Sequence, residues 1–312
     1  MKTAVVFAGQ GSQYPGMGKD LYDRFQTFKE IIDKADECTD LNLKEKMFNA
    51  DEKELARTEI IQPVMAAFGY GVFALFKEAG IKADFTAGLS LGEYGALAAS
   101  GVFDLETLIK ITAFRGRVMK EAGEGLDAKM IAVLGGEEES IEEACRQACE
   151  STGEYVAPAN YNSRGQVVIS GEKQAAEEAA RILKDKDLKC IPLKVSSAFH
   201  TKFMEPAAEK LKGYFKSEVA FHEMQIPVVF NVTGCERRDE DNIPGLLEMQ
   251  VKSPVKMRQT IEYLENRGVE RVIEIGPGKV ISGFIRKTAP DMECVSVEDA
   301  EGVEGLKEKA GS

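Results

Sequence analysis

Histidine is scarce in this sequence, with only two in 312 residues, at positions 200 and 222. The six cysteines, at 38, 145, 149, 190, 235 and 294, form no CxxC pair. A zinc site needs Cys or His ligands at short spacing, and a disulfide framework belongs to small secreted chains. Neither is suggested, and reduced, buried thiols with no bound metal are expected. Long apolar runs are also scarce. The longest uncharged stretch, Ile60–Phe76, is 17 residues and contains Gln62, Pro63, Gly69 and Gly71, which suits a buried core helix better than a membrane span. The run Ala4–Ala8 is too short for a secretory signal and reads as a first strand. An excess of positive charge is missing as well. With 40 basic against 52 acidic side chains the net charge is −12, which argues against nucleic acid as a partner. These absences together place the chain in a reducing, soluble compartment, the cytoplasm, away from membranes.

What is present is the composition of an ordinary globular chain, 44% hydrophobic and 29% charged. Surface scaling leaves roughly 13,000 Å² exposed after folding, so a large core forms without disulfide or metal staples. The opening segment has α/β grammar: a strand Thr3–Ala8, a glycine-rich loop, and helical patterns at Lys19–Ala35 and Pro63–Ala79. A strand Asp84–Leu89 then leads through Ser90 into a helix Leu91–Ser100 closed by Gly101, and Asp104 caps a helix reaching Ala122. From residue 125 the pattern changes to strand Met130–Leu134, helix Glu137–Glu150, strands Tyr155–Tyr161 and Gln166–Ser170, helix Glu172–Lys184 and strand Leu188–Val195. That βαββαβ order is the split ferredoxin-like one, predicting a small α+β domain (125–196) inserted into a large α/β domain (1–124 and 197–312). The strand Arg271–Ile275 and the turn Gly276–Gly278 belong to the large domain, and the charged tail from Asp299 is expected to fray.

Gly88–Gly92 spells GxSxG. Chance produces that pattern in roughly one chain of this length in ten, so its context decides. A strand precedes it and a helix follows it, as a nucleophile elbow requires, with glycines letting strand and helix meet around a strained serine. The plain alternative is a glycine turn carrying an ordinary serine. A serine nucleophile needs a base, and only two histidines can serve. His222 falls in a mixed polar segment and reads as a surface side chain. His200 follows a strand end, where catalytic loops gather, and is the favoured base. A histidine base predicts that the rate falls as pH drops across 5–8 and the ring protonates. The loop Gly9–Gln13 fails as a dinucleotide fingerprint because Tyr14 stands where GxGxxG requires glycine, and no P-loop motif occurs. Its place after the first strand lets Gln10 and nearby N–H groups face a developing negative charge. Arg115 shares a helix face with Leu108, Ile111, Val118, Met119 and Ala122. A guanidinium on an apolar stripe needs an anion opposite it, either a structural carboxylate or a substrate's. Arg117 falls on the polar face and reads as solvated.

Taken in order, GQGSQ at Gly9, GLSLGEYGAL at Gly88, RGRVM at Arg115, NYNSRGQVVISG at Asn160, SAFH at Ser197, QVKSPV at Gln250 and EIGPGKV at Glu274 resemble the malonyl-CoA:acyl carrier protein transacylase family over about residues 2–298. The resemblance implies an α/β-hydrolase-like large domain with an inserted ferredoxin-like domain. It also implies transfer of malonyl from malonyl-CoA to the phosphopantetheine thiol of acyl carrier protein for fatty acid synthesis, with no cofactor beyond the CoA thioester. Residue by residue, it implies Ser90 as nucleophile, His200 as general base and acid, and backbone N–H groups of Gln10 and Leu91 as the oxyanion hole. It further implies the Gln250 carbonyl as the acceptor orienting His200, Asn160 in the pocket wall, and Arg115 as the clamp for the malonyl carboxylate. Leu89 departs from the family, which commonly has histidine there. Two acidic partners meeting a chain of net charge −12 imply a local basic patch. A monomer is expected. The competing readings are a polyketide-associated loading acyltransferase, an acyl hydrolase using the same serine and histidine, and a catalytically silent carrier-docking module.

Overall fold

The apolar run Thr3–Phe7 is buried along its whole length and lies inside a six-stranded sheet in the computed structural model, which describes residues 1–195 and 197–311. The chain begins β1 (Thr3–Phe7), α1 (Lys19–Arg24), α2 (Gln26–Glu37), α3 (Leu43–Asn49), α4 (Glu52–Leu55), α5 (Thr58–Glu78), β2 (Phe85–Gly88), α6 (Gly92–Ala99) and α7 (Leu105–Gly123). It continues through β3 (Ala128–Leu134), α8 (Glu138–Thr152), β4 (Val156–Ser163), β5 (Gln166–Glu172), α9 (Lys173–Lys184) and β6 (Lys189–Pro192). After a 3₁₀ turn at Lys202–Met204 come α10 (Glu205–Glu218), β7 (Val228–Phe230), β8 (Cys235–Glu236), α11 (Ile243–Lys252), β9 (Val255–Lys256) and α12 (Met257–Asn266). The last elements are β10 (Arg271–Ile275), α13 (Val280–Thr288), β11 (Glu293–Val297) and α14 (Ala300–Gly311).

The first sheet runs β11-β10-β1-β2-β7-β8, parallel throughout except for the β7–β8 hairpin. A parallel sheet must be covered on both faces. Strand alternation does this here, sending Val5, Phe7, Ile273 and Ile275 into one core and Ala4, Val6, Val272 and Ala87 into the other. α5 crosses the first of these cores. It is long and apolar enough to span a membrane, yet 83% of its most apolar window is buried inside the protein, as a core helix should be. The second sheet runs β6-β3-β5-β4-β9. Its first four strands pair antiparallel, and α8 and α9 pack with them in a core containing Ile131, Val133, Val167 and Ile169.

Several elements differ from the sequence-based expectation. The helix predicted over Lys19–Ala35 is broken at Phe25, whose extended backbone separates α1 from α2. α5 starts before Pro63 rather than at it, so the proline lies within the helix. β6 ends at Pro192, leaving Leu193–Val195 as cleft lining. Val255 and Lys256 add an unforeseen fifth strand, parallel to β4, that joins the second sheet to the chain after α11. The tail is helical rather than frayed. Val303 and Leu306 bury themselves in the main core, Asp299 accepts from the Gly302 N–H, and Asp20 accepts from the Ala300 N–H at 2.7 Å.

Candidate active site

β2 ends at Gly88 and α6 begins at Gly92, so the turn between them is tight. A Cβ at Gly88 would collide with the Gly92 carbonyl, and one at Gly92 with the Phe7 carbonyl oxygen of β1. The two glycines of GxSxG are therefore required by contact, not by flexibility. Ser90 between them has φ of 53°, a left-handed conformation that costs a non-glycine residue about 1–3 kcal/mol. Hydrogen bonds hold it there. The Ser90 N–H donates to Asn231 Oδ1 at 2.7 Å, and Gln250 Nε2 donates to the Ser90 carbonyl at 2.8 Å.

His200 reaches this serine from the loop after β6. Its Nε2 lies 2.8 Å from Ser90 Oγ and its Nδ1 2.9 Å from the Gln250 carbonyl oxygen. A carbonyl only accepts, so Nδ1 carries the proton. In the neutral ring Nε2 is then a lone pair aimed at the serine hydroxyl, the tautomer a general base needs. His200 also has positive φ, 59°, and is 5% exposed. Burial, helped by the nearby Arg115 charge, lowers its pKa to about 4 against the opposing pull of the Gln250 and Ser253 carbonyls. This lies below the ordinary titration range expected from sequence. A reaction that uses the neutral ring as its base should keep a level rate from about pH 5 to 8 and slow only as pH approaches about 4. A single-turnover pH profile measures this, and a midpoint near 6.5 would contradict it. His222 is exposed on the 219–227 segment and does not line the cleft.

Arg115 projects from the buried face of α7 and is 1% exposed, whereas Arg117 faces solvent. Its Nη1 donates to Gln62 Oε1 at 2.8 Å, and its Nη2 to Gln250 Oε1 at 2.9 Å and Ser90 Oγ at 3.1 Å. The Tyr94 ring lies 5.2 Å from its guanidinium carbon. These hydrogen-bond partners are neutral. The nearest acid in electrostatic reach, Glu93 on α6, is fully buried, and that burial pushes its carboxyl up to about 8 despite Asn231 N–H and Arg115 favouring ionisation. At neutral pH the guanidinium therefore keeps a positive charge that no carboxylate cancels, beside the Ser90 hydroxyl.

These groups meet in a cleft of about 500 Å³ between the two sheets. Gln10, Ser90, Leu91, Arg115 and His200 line it from the first sheet's side and Asn160, on β4, from the second. Among the described residues the Gln10 and Leu91 backbone N–H groups have no acceptor, while the Gln10 side chain donates to Thr58 Oγ1 at 3.2 Å. The structure thus gathers every site residue expected from sequence. Leu89 also lines the cleft, its side chain beside Gly9. Gln62, Glu93 and Asn231 went unassigned. Each is a polar residue set within or directly after an apolar stretch, Gln62 within Ile60–Phe76, Glu93 within α6 and Asn231 after β7, and that is the available signal.

The acyl transferase domain family model matches residues 4–304. The malonyl CoA-acyl carrier protein transacylase of Bacillus subtilis (strain 168) is 38% identical over 304 residues, 97% of this chain and 95% of that protein. The crystal structure of a protein named MCAT from Streptococcus pneumoniae superposes with a TM-score of 0.92 at 42% identity, covering 99% of this chain and 100% of that one. A malonyl-transacylase solved with its type II polyketide acyl carrier protein superposes at 0.95 and 34% identity, again over 99% and 100%.

Proposed function

The chain belongs to the acyl transferase family as one of its malonyl-CoA:acyl carrier protein transacylases, and from that membership we propose how its residues divide the reaction. The enzyme moves malonyl from malonyl-CoA to the phosphopantetheine thiol of acyl carrier protein, supplying fatty acid synthesis. Ser90 Oγ attacks the thioester carbon while His200 Nε2 takes its proton. The tetrahedral oxyanion is met by the N–H groups of Gln10 and Leu91. Collapse expels the CoA thiolate, which takes the proton back from His200 and leaves a malonyl ester on Ser90. The carrier thiol then gives its proton to His200 and attacks that ester, and the imidazolium reprotonates Ser90. Arg115 binds the malonyl carboxylate through both steps, with Asn160 in the opposite wall. The observation carrying this reading is the Ser90–His200–Gln250 chain of 2.8 and 2.9 Å contacts beside an arginine with only neutral hydrogen-bond partners.

The finer architecture belongs to the same proposal. Strand order β6-β3-β5-β4 within a βαββαβ chain supports a ferredoxin-like insertion at 125–196, and the parallel sheet with its Ser90 elbow supports an α/β-hydrolase-like remainder. We also propose that the enzyme acts as a cytoplasmic monomer without a cofactor beyond the CoA thioester.

Incubation with malonyl-CoA followed by intact-mass measurement tests the mechanism. A malonyl adduct mapping to Ser90 and discharged by added acyl carrier protein is expected. Discharge to water at the same rate without the carrier would make the enzyme a hydrolase instead.

A further inference from the structure

Asn231 follows β7 directly and is completely buried, 141 residues away from Ser90 in sequence. Its main chain is anchored twice, the N–H donating to Glu93 Oε2 and the carbonyl accepting from the Lys256 N–H at 2.9 Å. Its side-chain amide then makes two contacts with the elbow. Oδ1 accepts from the Ser90 N–H at 2.7 Å, and Nδ2 donates to the Gly88 carbonyl at 2.7 Å.

From this bridge we propose that Asn231 is a positioning residue for acyl transfer, holding the nucleophile in its left-handed conformation through the two peptide planes that precede it. This rests on Ser90 being the nucleophile. Peptide units are planar, so a residue's φ and ψ are set by the planes on either side of it. Asn231 fixes the plane before Ser90 through its N–H, and the Gly88 plane before that. Gln250 Nε2 fixes the plane after Ser90 through its carbonyl. The N–H of that last plane belongs to Leu91, the oxyanion donor. Without the Asn231 bridge, Ser90 can relax from φ 53° toward the ordinary negative region. Relaxation would carry Oγ away from His200 Nε2 and turn the Leu91 N–H out of the cleft. The elbow needs one acceptor and one donor on the same rigid group, which an amide supplies. Alanine supplies neither, and an ionised carboxylate only accepts.

The test measures malonyl-enzyme formation by rapid quench in full-length Asn231→Ala and Asn231→Asp, with malonyl-CoA KM and thermal melts recorded alongside. Asn231→Ala should lower the acylation rate about 10²-fold, the scale of an ångström-level misplacement, with KM little changed and the protein folded. Asn231→Asp gives a signature that fold damage does not. A protonated carboxyl reproduces the amide's acceptor and donor, whereas the ionised form repels the Gly88 carbonyl. The charged and titratable groups on the elements around this carboxyl are Glu93 and Tyr94 on α6, Arg115 on α7, His200, and Lys256, whose N–H meets the Asn231 carbonyl, and wild type carries them all. The ratio of Asn231→Asp to wild type should therefore be highest near pH 5.5 and drop by roughly tenfold or more toward pH 8.5. Should Asn231→Ala not fold, that ratio alone decides. A folded Asn231→Ala within about threefold of wild type, a flat ratio, or losses that only track the folded fraction would overturn the proposal. The wild-type adduct, mapped to Ser90 in the same experiment, separates those failures from a misassigned nucleophile.

Discussion

Ser90→Ala should abolish the malonyl adduct, and His200→Ala should slow its formation on the order of 10³ or more. The two losses come from one proton path. Ser90 Oγ donates to a ring nitrogen 2.8 Å away whose lone pair is fixed by the carbonyl on the ring's far side. Alanine at 90 removes the attacking atom. Alanine at 200 leaves a hydroxyl with no base while the N–H groups of the oxyanion hole remain. Some residual rate should therefore survive in the second variant and none in the first. His222→Ala, an exposed change away from the cleft, should leave acylation as it is. A different nucleophile is disfavoured by where the thiols lie. No cysteine lines the cleft among the described residues, and burial raises the pKa of Cys38, Cys145, Cys190 and Cys294. Peptide mapping checks the pair of predictions. An adduct that persists in Ser90→Ala on a cysteine, or a loss of rate in His222→Ala greater than in His200→Ala, would reject the mechanism.

Features built from near neighbours in the chain were legible before the fold was known. The GxSxG turn is set by contacts between Gly88, Gly92 and β1, so five residues and their flanking strand and helix were enough. The buried face of Arg115 follows from spacings of three and four on one helix, and Asp104 caps that helix as its sequence position implies, accepting from the Thr107 N–H at 2.8 Å. What stayed hidden depends on groups brought together across the chain. Gln62 holds Arg115 from a helix 53 residues away, and Asn231 meets Ser90 from the end of the neighbouring strand, 141 residues on. Gln62 read only as a polar residue that weakened a membrane-span interpretation. β9 is two residues long and exists because β4 offers it an edge, which no periodicity reveals. The low pKa of His200 has the same origin. A histidine in a loop reads as ordinary until its burial and the arginine beside it are known.

Arg115→Ala should change the choice of acyl group more than it changes the fold. A fork bound to two neutral amides is oriented but not neutralised, with Nη1 on Gln62 and Nη2 shared between Gln250 and Ser90 Oγ. Glu93 is mostly protonated at neutral pH and so does not cancel its charge there, because burial lifts that carboxyl's pKa to about 8. A malonyl thioester attacked by Ser90 carries its free carboxylate two bonds beyond the carbonyl, within reach of a guanidinium already in contact with the nucleophile. Losing one partner of a buried charge-assisted pair costs about 2–5 kcal/mol, so kcat/KM for malonyl-CoA should fall roughly 30- to 4,000-fold. Acetyl-CoA has no carboxylate to leave stranded, and removing a buried cation should spare or even improve its transfer relative to malonyl. Lysine at 115 should restore part of the malonyl rate, since it brings charge but cannot hold Gln62 and Gln250 together as a planar fork does. Steady-state constants for both thioesters in wild type, Arg115→Ala and Arg115→Lys measure the effect. Equal losses for malonyl and acetyl, together with a lower Tm, would mean that Arg115 only supports the fold and that the carboxylate is recognised elsewhere in the cleft.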